Sequence, residues 1–295
     1  ISVVLFAEQK GRKQARYIQQ NNRNLQLYKL KGWQALAATG FCTLVMLLAF
    51  VLPFGQLVIW CVEIAAEELD SRYFSFLLNT LGLGLIAAVV TTLFALLLAY
   101  VKRLPAGLIE KRWQNLAIRV STLGYALPGS VLAVGIILSF TFLDQAITGV
   151  AQNIFGFNIR TLLVGSIFAL VLAYSTRFMA VAFAPIEAGF ERINPKIIEA
   201  AKSLGATPIR LLHQIYIPLL KPGLLTALIV VFVEVMKEMP ATLIMRPFGW
   251  DTLAVRIYQM TAEGQWERAA LPAVTLIFLG LIPVFLLVRS SRPSK

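Results

Sequence analysis

The chain has 295 residues, of which 58% are hydrophobic and 14% charged, and its formal net charge is +12. A soluble domain carries about a quarter charged residues, so this composition and a mean hydropathy of +0.74 exclude an ordinary water-soluble fold. The excess positive charge does not point to nucleic acid, because the basic residues gather at the ends of apolar runs, as membrane topology requires.

The chain begins Ile-Ser-Val-Val-Leu-Phe, then Glu8 and a basic, Gln/Asn-rich stretch through Asn24. A secretory leader places its charges before its apolar run. The reverse order predicts the tail of a preceding transmembrane helix and a cytoplasmic linker over residues 1–34, as in the C-terminal part of a longer polypeptide. A truncated N-terminus of no consequence is the alternative. A first transmembrane helix follows over 35–66, then a core over 67–295. Cys42 and Cys61 sit on that first helix about 28 Å apart at ~1.5 Å per residue, too far to pair, and two isolated cysteines make no metal framework.

Apolar runs lie at 36–62, 76–101, 118–142, 161–183, 224–236 and 269–288. A helix of about 20 residues crosses a ~30 Å hydrocarbon core, so the expected fold class is all-α: a polytopic membrane protein of six transmembrane helices. Six crossings put both ends on one side. With the ends inside, the inner segments hold 21 of the 27 basic residues, Arg177 among them, while Glu63, Glu67, Glu68 and Asp70 lie outside. The positive-inside rule therefore predicts both ends in the cytoplasm. Pro128 is expected to kink the third helix, and Gly82, Gly84, Gly124, Gly129 and Gly135 to serve close helix packing or hinge motion, packing being the preferred reading.

Between the fourth and fifth crossings lies a polar insert, 184–222. Asn194-Pro195 reads as an N-cap followed by Pro at the first helical position, and Gly205 as the stop. Thr207-Pro208 starts a second short helix, whose extent Pro218 and Pro222 limit. Ala200 and Ala201 offer a small-residue surface that another protein could approach, and Glu199 a cap or salt bridge at the turn. An ordinary interfacial loop fits the same residues. His213, the lone histidine, reads as a surface residue rather than a ligand, and no metal site is expected.

Glu234, Lys237 and Glu238 interrupt the fifth run at spacing i, i+3, i+4 and so share a helix face. Ionisable groups at membrane depth usually face a bundle interior or cavity. They either line a translocation pathway near an external gate or pair among themselves at the outer interface. The stretch 249–268, with Trp250 and Trp266, reads as an external amphipathic segment anchored at the interface.

The insert also carries Glu199-Ala200-Ala201, three residues, Gly205, nine residues, then Ile215-Tyr216-Ile217-Pro218. This resembles the cytoplasmic loop of the type I ABC importer permeases, the binding-protein-dependent inner-membrane components. The departure is Ile217 where the family usually has Leu. Asn79-Thr80-Leu81, Tyr125 through Gly129, Arg177-Phe178, Lys237 through Leu243, Arg246-Pro247-Phe248 and Asp251 through Ala254 extend the likeness. It is most similar to the C-terminal half of fused ferric-iron transporter permeases; relatives for thiamine, polyamines, sulfate or phosphonates share much of the pattern.

The resemblance implies that Glu199, Ala200, Ala201, Gly205, Ile215 and Pro218 belong to a coupling helix that docks in an ATPase subunit. It implies alternating access in the inner membrane, without catalysis by this chain. The implied partners are an ABC ATPase dimer, a periplasmic or extracellular substrate-binding protein, a second permease half fused N-terminally, and membrane lipid, with no nucleic acid. No phosphate-cradling G-x-x-x-x-G-K-[ST] loop occurs, so this chain is expected to bind no cofactor, ATP and Mg belonging to the partner ATPase. An ion-gradient-driven secondary transporter would have six helices without needing the loop, and an intramembrane enzyme would need a convergent catalytic set that these residues lack.

Overall fold

The computed structural model describes residues 30–103, 110–155 and 162–290. The expected helix tail and linker before residue 30 lie outside the described residues, as do Arg292 and Lys295. Ten helices are described: α1 (Trp33–Glu68), α2 (Ser71–Val101), α3 (Lys111–Thr122), α4 (Gly129–Phe155), α5 (Ile167–Glu191), α6 (Pro195–Ser203), α7 (Pro208–Met236), α8 (Pro240–Met245), α9 (Leu253–Ala262) and α10 (Trp266–Ser290). Six of them are long and apolar enough to cross a membrane. The chain forms two compact units that divide within α1, one ending at Gln56 and the other beginning at Leu57. A π-turn at Leu47–Val51 interrupts α1 in the first unit. The second unit contains everything below.

Local chemistry sets most helix starts. Asp70 accepts from the Tyr73 amide at 2.8 Å to begin α2. Ser166 accepts from Ala169 to begin α5, and Thr252 from Val255 to begin α9. Each satisfies an amide that the first helical turn leaves unpaired.

The centre of the bundle is α2, α5 and α7. Ala87, Ala88, Ala95 and Ala99 of α2, Ala169, Ala173 and Ala182 of α5 and Ala227 of α7 are buried along the seams. Without a hydrophobic drive between helices in lipid, small residues let backbones approach and dispersion act. A Cβ at Gly84 would stand 3.1 Å from the Phe232 ring, so this glycine serves packing as expected; Gly82 and Gly135 have nothing within 4 Å. Thr91 of α2 donates to Ser175 of α5 at 3.1 Å across the seam.

The third crossing differs from the expected kinked helix. The chain runs α3, a 3₁₀ turn at Leu123–Ala126, an extended Leu127, then Pro128 and α4. The break is complete because a residue before proline avoids the helical region. It also sits against α5: a Cβ at Gly124 would fall 2.1 Å from the Thr176 carbonyl oxygen. Thr176 is near the middle of α5, which places the break at mid-depth of the bundle.

The polar insert is shorter than the expected 184–222. Helix α5 continues through Pro185 to Glu191, and α7 begins at Pro208, leaving 192–207 between them. Pro218 and Pro222 do not end the second helix. A π-turn over Leu212–Tyr216 precedes Pro218, with the Ile217 amide reaching the Leu212 carbonyl. The wider turn moves away the carbonyl that a proline ring would strike. Gly223 lies against the Pro185 carbonyl, where a Cβ would stand 2.8 Å away, so α5 and α7 meet backbone to backbone at their prolines.

The stretch expected as an interfacial anchor is a packed element. Leu253, Ala254, Val255 and Met260 of α9 are buried, and α9 packs on α10 and α2. Trp250 packs against the main core.

Candidate functional site

Helix α6 starts at Asn194, whose side chain accepts from the Lys196 amide at 3.0 Å, with Pro195 next. It stops in a Schellman turn: the Gly205 amide donates to the Lys202 carbonyl at 2.9 Å and the Ala206 amide to Ala201 at 3.0 Å. Gly205 has φ +79°, and a Cβ there would meet nothing within 4 Å among the described residues. Its requirement is therefore the left-handed backbone rather than space. Thr207 then accepts from the Arg210 amide, and α7 begins.

The motif residues divide by direction. Ala201, Ile215, Ile198 and Ala206 pack toward the main core. Glu199 and Ala200 face outward, as do Pro218 and His213. Of the two alanines expected to form one outward surface, only Ala200 is exposed. The described residues give the Glu199 carboxylate no ion pair; its carbonyl accepts from Ser203 Oγ at 3.1 Å. Beside them Leu204 is 86% exposed and Ile209 74%. Large apolar side chains at the tip of a polar, basic loop are a surface that a partner would cover.

The second site lies at mid-depth. Glu234 and Lys237 pair at 2.8 Å, but Glu238 does not join them. Helix α7 ends at Met236, so the three do not share one helix face. Glu238 is buried and faces Arg177 of α5, Oε2 to Nε 3.0 Å. Its Oε1 accepts from the Ala241 amide at 3.2 Å and so helps start α8. Arg177 Nη1 donates to the Leu127 carbonyl at 3.2 Å, in the break before Pro128. Arg177 therefore lies inside the bundle, and counting it among the cytoplasmic cations of the sequence is corrected: a buried counter-ion holds it there.

A Cβ at Gly129 would stand 2.5 Å from Glu238 Oε1 and 2.6 Å from Arg177 Nη1. Thr242 donates to the Glu238 carbonyl at 2.5 Å and shares a hydrogen bond with the Tyr174 hydroxyl at 2.6 Å. The breaks at 127–128 and 237–239 are thus tied to one point on α5. Three segments noted separately in the sequence, 125–129, 177–178 and 237–243, form a single polar node. Such a node joins two interrupted helices through a charge pair and a backbone carbonyl, groups that are costly to leave unpartnered in a low-dielectric interior.

A third network uses the remaining motifs. Asn79 Nδ2 donates to the carbonyls of Gly249 and Asp251 at 3.2 and 3.1 Å, and the Leu253 amide donates to Thr80 Oγ1 at 2.9 Å. Arg246 pairs with Asp251 at 2.7 Å. These hold the loop 246–252 on α2 and leave Phe248 at its tip fully exposed.

Two buried acids were missed in the sequence. Asp144 of α4 accepts from the Leu162, Leu163 and Val164 amides at 3.0–3.1 Å. Glu187 of α5 pairs with Lys102 and Arg103. The available signal was an acid inside or at the end of an apolar run, since a carboxylate is kept there only with partners.

Residues 103–293 match the family model described as "Binding-protein-dependent transport system inner membrane component". The chain is 25% identical over 254 residues to the Fe(3+)-transport system permease protein FbpB 2 of Haemophilus influenzae, covering 85% of this chain and 46% of that protein. It thus spans about half the length of that relative. It is 27% identical over 216 residues to a putative 2-aminoethylphosphonate transport system permease protein, PhnV, of Salmonella typhimurium, covering 73% and 74% of the two chains. Among solved structures, a chain of a bacterial alginate ABC transporter complexed with an alginate-pentasaccharide-bound periplasmic protein aligns with a TM-score of 0.64 at 16% identity, over 88% of this chain and 94% of that one. A chain of the MetNI methionine ABC transporter in an inward-facing conformation aligns at 0.55 with 18% identity, over 75% and 97%. These structural likenesses concern the fold.

Proposed function

The chain belongs to the binding-protein-dependent transport system inner membrane component family, and from that premise we propose that it is the membrane-spanning subunit of an ATP-driven importer working by alternating access. The observation that carries this reading is the loop 192–207: a capped helix, a Schellman turn at Gly205, and outward-facing Glu199, Ala200 and Leu204. In this reading the loop lies in the cytoplasm with both chain ends, and α6 docks on an ABC ATPase that supplies the nucleotide and Mg. A second permease half, fused N-terminally, completes the pathway, and an external binding protein delivers the substrate. The relative that spans about twice this chain's aligned length supports the fused arrangement.

Ferric ion is the substrate we propose, on the strength of the ferric permease relatives. 2-Aminoethylphosphonate is the second reading, favoured by relatives matched over most of their length. The polar node of Arg177 and Glu238 lies on the pathway in this scheme, whereas Lys237 and Glu234 pair with each other beside it.

The test is purification of the full-length gene product in mild detergent with whatever stays bound, beside the Gly205→Arg variant. An ABC ATPase that accompanies the unaltered protein and is lost from the variant is the expected result. Ferric-loaded and 2-aminoethylphosphonate-loaded binding proteins are then compared for stimulation of ATP hydrolysis. Uptake driven by an ion gradient with no ATPase attached would overturn the reading.

A further inference from the structure

Three segments, 100–103, 187–190 and 208–216, meet at the end of the bundle that carries α6. Glu187, near the end of α5, is buried, and its Oε1 receives Lys102 Nζ at 2.5 Å and Arg103 Nη2 at 3.1 Å. The Arg103 guanidinium also lies 5.5 Å from the centre of the Phe190 ring. Phe190 packs on Tyr216 in the π-turn of α7, ring centres 5.2 Å apart, and Tyr100 of α2 meets the same Tyr216 edge-on at 5.9 Å. The Tyr100 hydroxyl donates to the Pro208 carbonyl at 3.2 Å, three residues beyond Gly205. The last turn of α2 is thus fastened by charge to α5, by aromatic packing to the π-turn, and by a hydrogen bond to the residue where α7 begins.

None of these contacts is required to shape the loop, whose turn closes on its own backbone and caps. Nor are they required to hold α2 on α5, since the alanine seam does that along the length of both helices. A carboxylate buried with cations is weak as a stability device, because desolvation offsets its attraction. What it contributes is geometry: it joins the end of α2 to whatever displaces α5, α6 and the start of α7. Among the described residues nothing donates to Glu187 Oε2, so both cations share the one oxygen, Oε1.

We infer that Glu187, with Lys102, Arg103 and Tyr100, forms the joint that transmits movement of the coupling loop to the second crossing. Glu187 is then a positioning residue for transport that touches neither nucleotide, substrate nor ATPase. This rests on the reading of α6 as the ATPase-docking helix. Loss of the joint leaves the ATPase bound and hydrolysing ATP while the work reaches α2 poorly.

The experiment uses the full-length protein with its co-purifying ATPase and binding protein in proteoliposomes, with ferric ion and 2-aminoethylphosphonate assayed in parallel. The variants are Glu187→Gln, Tyr100→Phe and the exchange Lys102→Glu with Glu187→Lys. In Glu187→Gln the ATPase stays bound and substrate imported per ATP hydrolysed falls about tenfold, the scale of an ordinary coupling between sites. Tyr100→Phe, which removes only a hydroxyl, shows a smaller fall in the same ratio, and the exchanged pair restores most of it. Unchanged import per ATP in Glu187→Gln overturns the inference alone. So does loss of the ATPase from that variant, which would make Glu187 part of the docking surface. Absence of any ATPase from the unaltered protein removes the docking reading, and the joint with it.

Discussion

Replacing Glu238 by Gln keeps the outline of the side chain and removes its charge. Arg177 Nε lies 3.0 Å from Glu238 Oε2, and Glu238 is only 6% exposed. At that separation and an effective dielectric constant of ~20 the attraction is about 5 kcal/mol. Desolvating the two ions costs several kcal/mol each, so the intact pair contributes little net stability. Removing one partner is a different matter, because Arg177, its side chain only 19% exposed, stays without its counter-ion, at a cost of about 3–5 kcal/mol. The Leu127 carbonyl and the new amide oxygen recover part of this, which leaves about 3 kcal/mol. The assay is unfolding of the purified protein in lipid bicelles by a denaturing detergent, followed by tryptophan fluorescence. A shift below about 1 kcal/mol, the range of an ordinary surface change, would refute the argument from burial. The paired change Arg177→Met with Glu238→Leu separates structure from function. Apolar residues of similar volume often replace a buried ion pair without loss of stability, so the stability this variant loses is that of the Leu127 carbonyl and the Ala241 amide left without partners, about 1–3 kcal/mol for each group. The variant is also expected to lose transport, because the node no longer exchanges polar partners. Full transport by the apolar variant would reduce Glu238 to a packing residue.

Gly124→Ala would drive a Cβ into the Thr176 carbonyl at 2.1 Å, against backbone that cannot move aside, and is expected to abolish folded yield in detergent. Gly135→Ala meets nothing within 4 Å and is expected to change stability by less than about 1 kcal/mol; equal yields for both variants would contradict the packing account. Asp144→Asn keeps the size but sets an amide group, with one oxygen, against three backbone amides. It should cost about 2 kcal/mol in the same unfolding assay, and hydrogen exchange should quicken at residues 162–164.

The elements legible in the sequence are those whose causes are local. Asn194-Pro195, Gly205 and Thr207-Pro208 act through their own backbone, and α6 with its Schellman turn forms where they place it. The proline rule misled where its exception is three-dimensional. Nothing near Pro218 announces the π-turn before it, and Pro185 stays inside α5, where Gly223 lets another helix approach its carbonyl. Charge was misjudged for the same reason. The spacing of Glu234, Lys237 and Glu238 is a helix-face signal, but a face exists only while the helix continues, and it ends at Met236. The partner of Glu238 is on α5, and no spacing rule reaches across the bundle.

The ion pairs differ in what their loss would change, and position along the bundle explains why. Arg268 with Glu68 ties the end of α1 to the start of α10, and Lys102 and Arg103 with Glu187 tie α2 to α5 at the opposite end. Both join uninterrupted stretches of helix at or near their ends, Glu68 closing α1 and Lys102 and Arg103 following Val101 of α2. Arg177 with Glu238 joins breaks, where helices have already surrendered backbone bonds and Leu127 offers a carbonyl to a guanidinium instead of to an amide. Lipid cannot satisfy such a carbonyl, so protein must do so in every state the node visits. Arg177 has donors in several directions from one plane and can keep that carbonyl while changing its hold on Glu238. A lysine, a point charge on a flexible stem, cannot hold both in fixed geometry. Arg177→Lys is therefore expected to preserve the net charge of the node and still impair transport more than folding, which a parallel measurement of uptake and unfolding would decide.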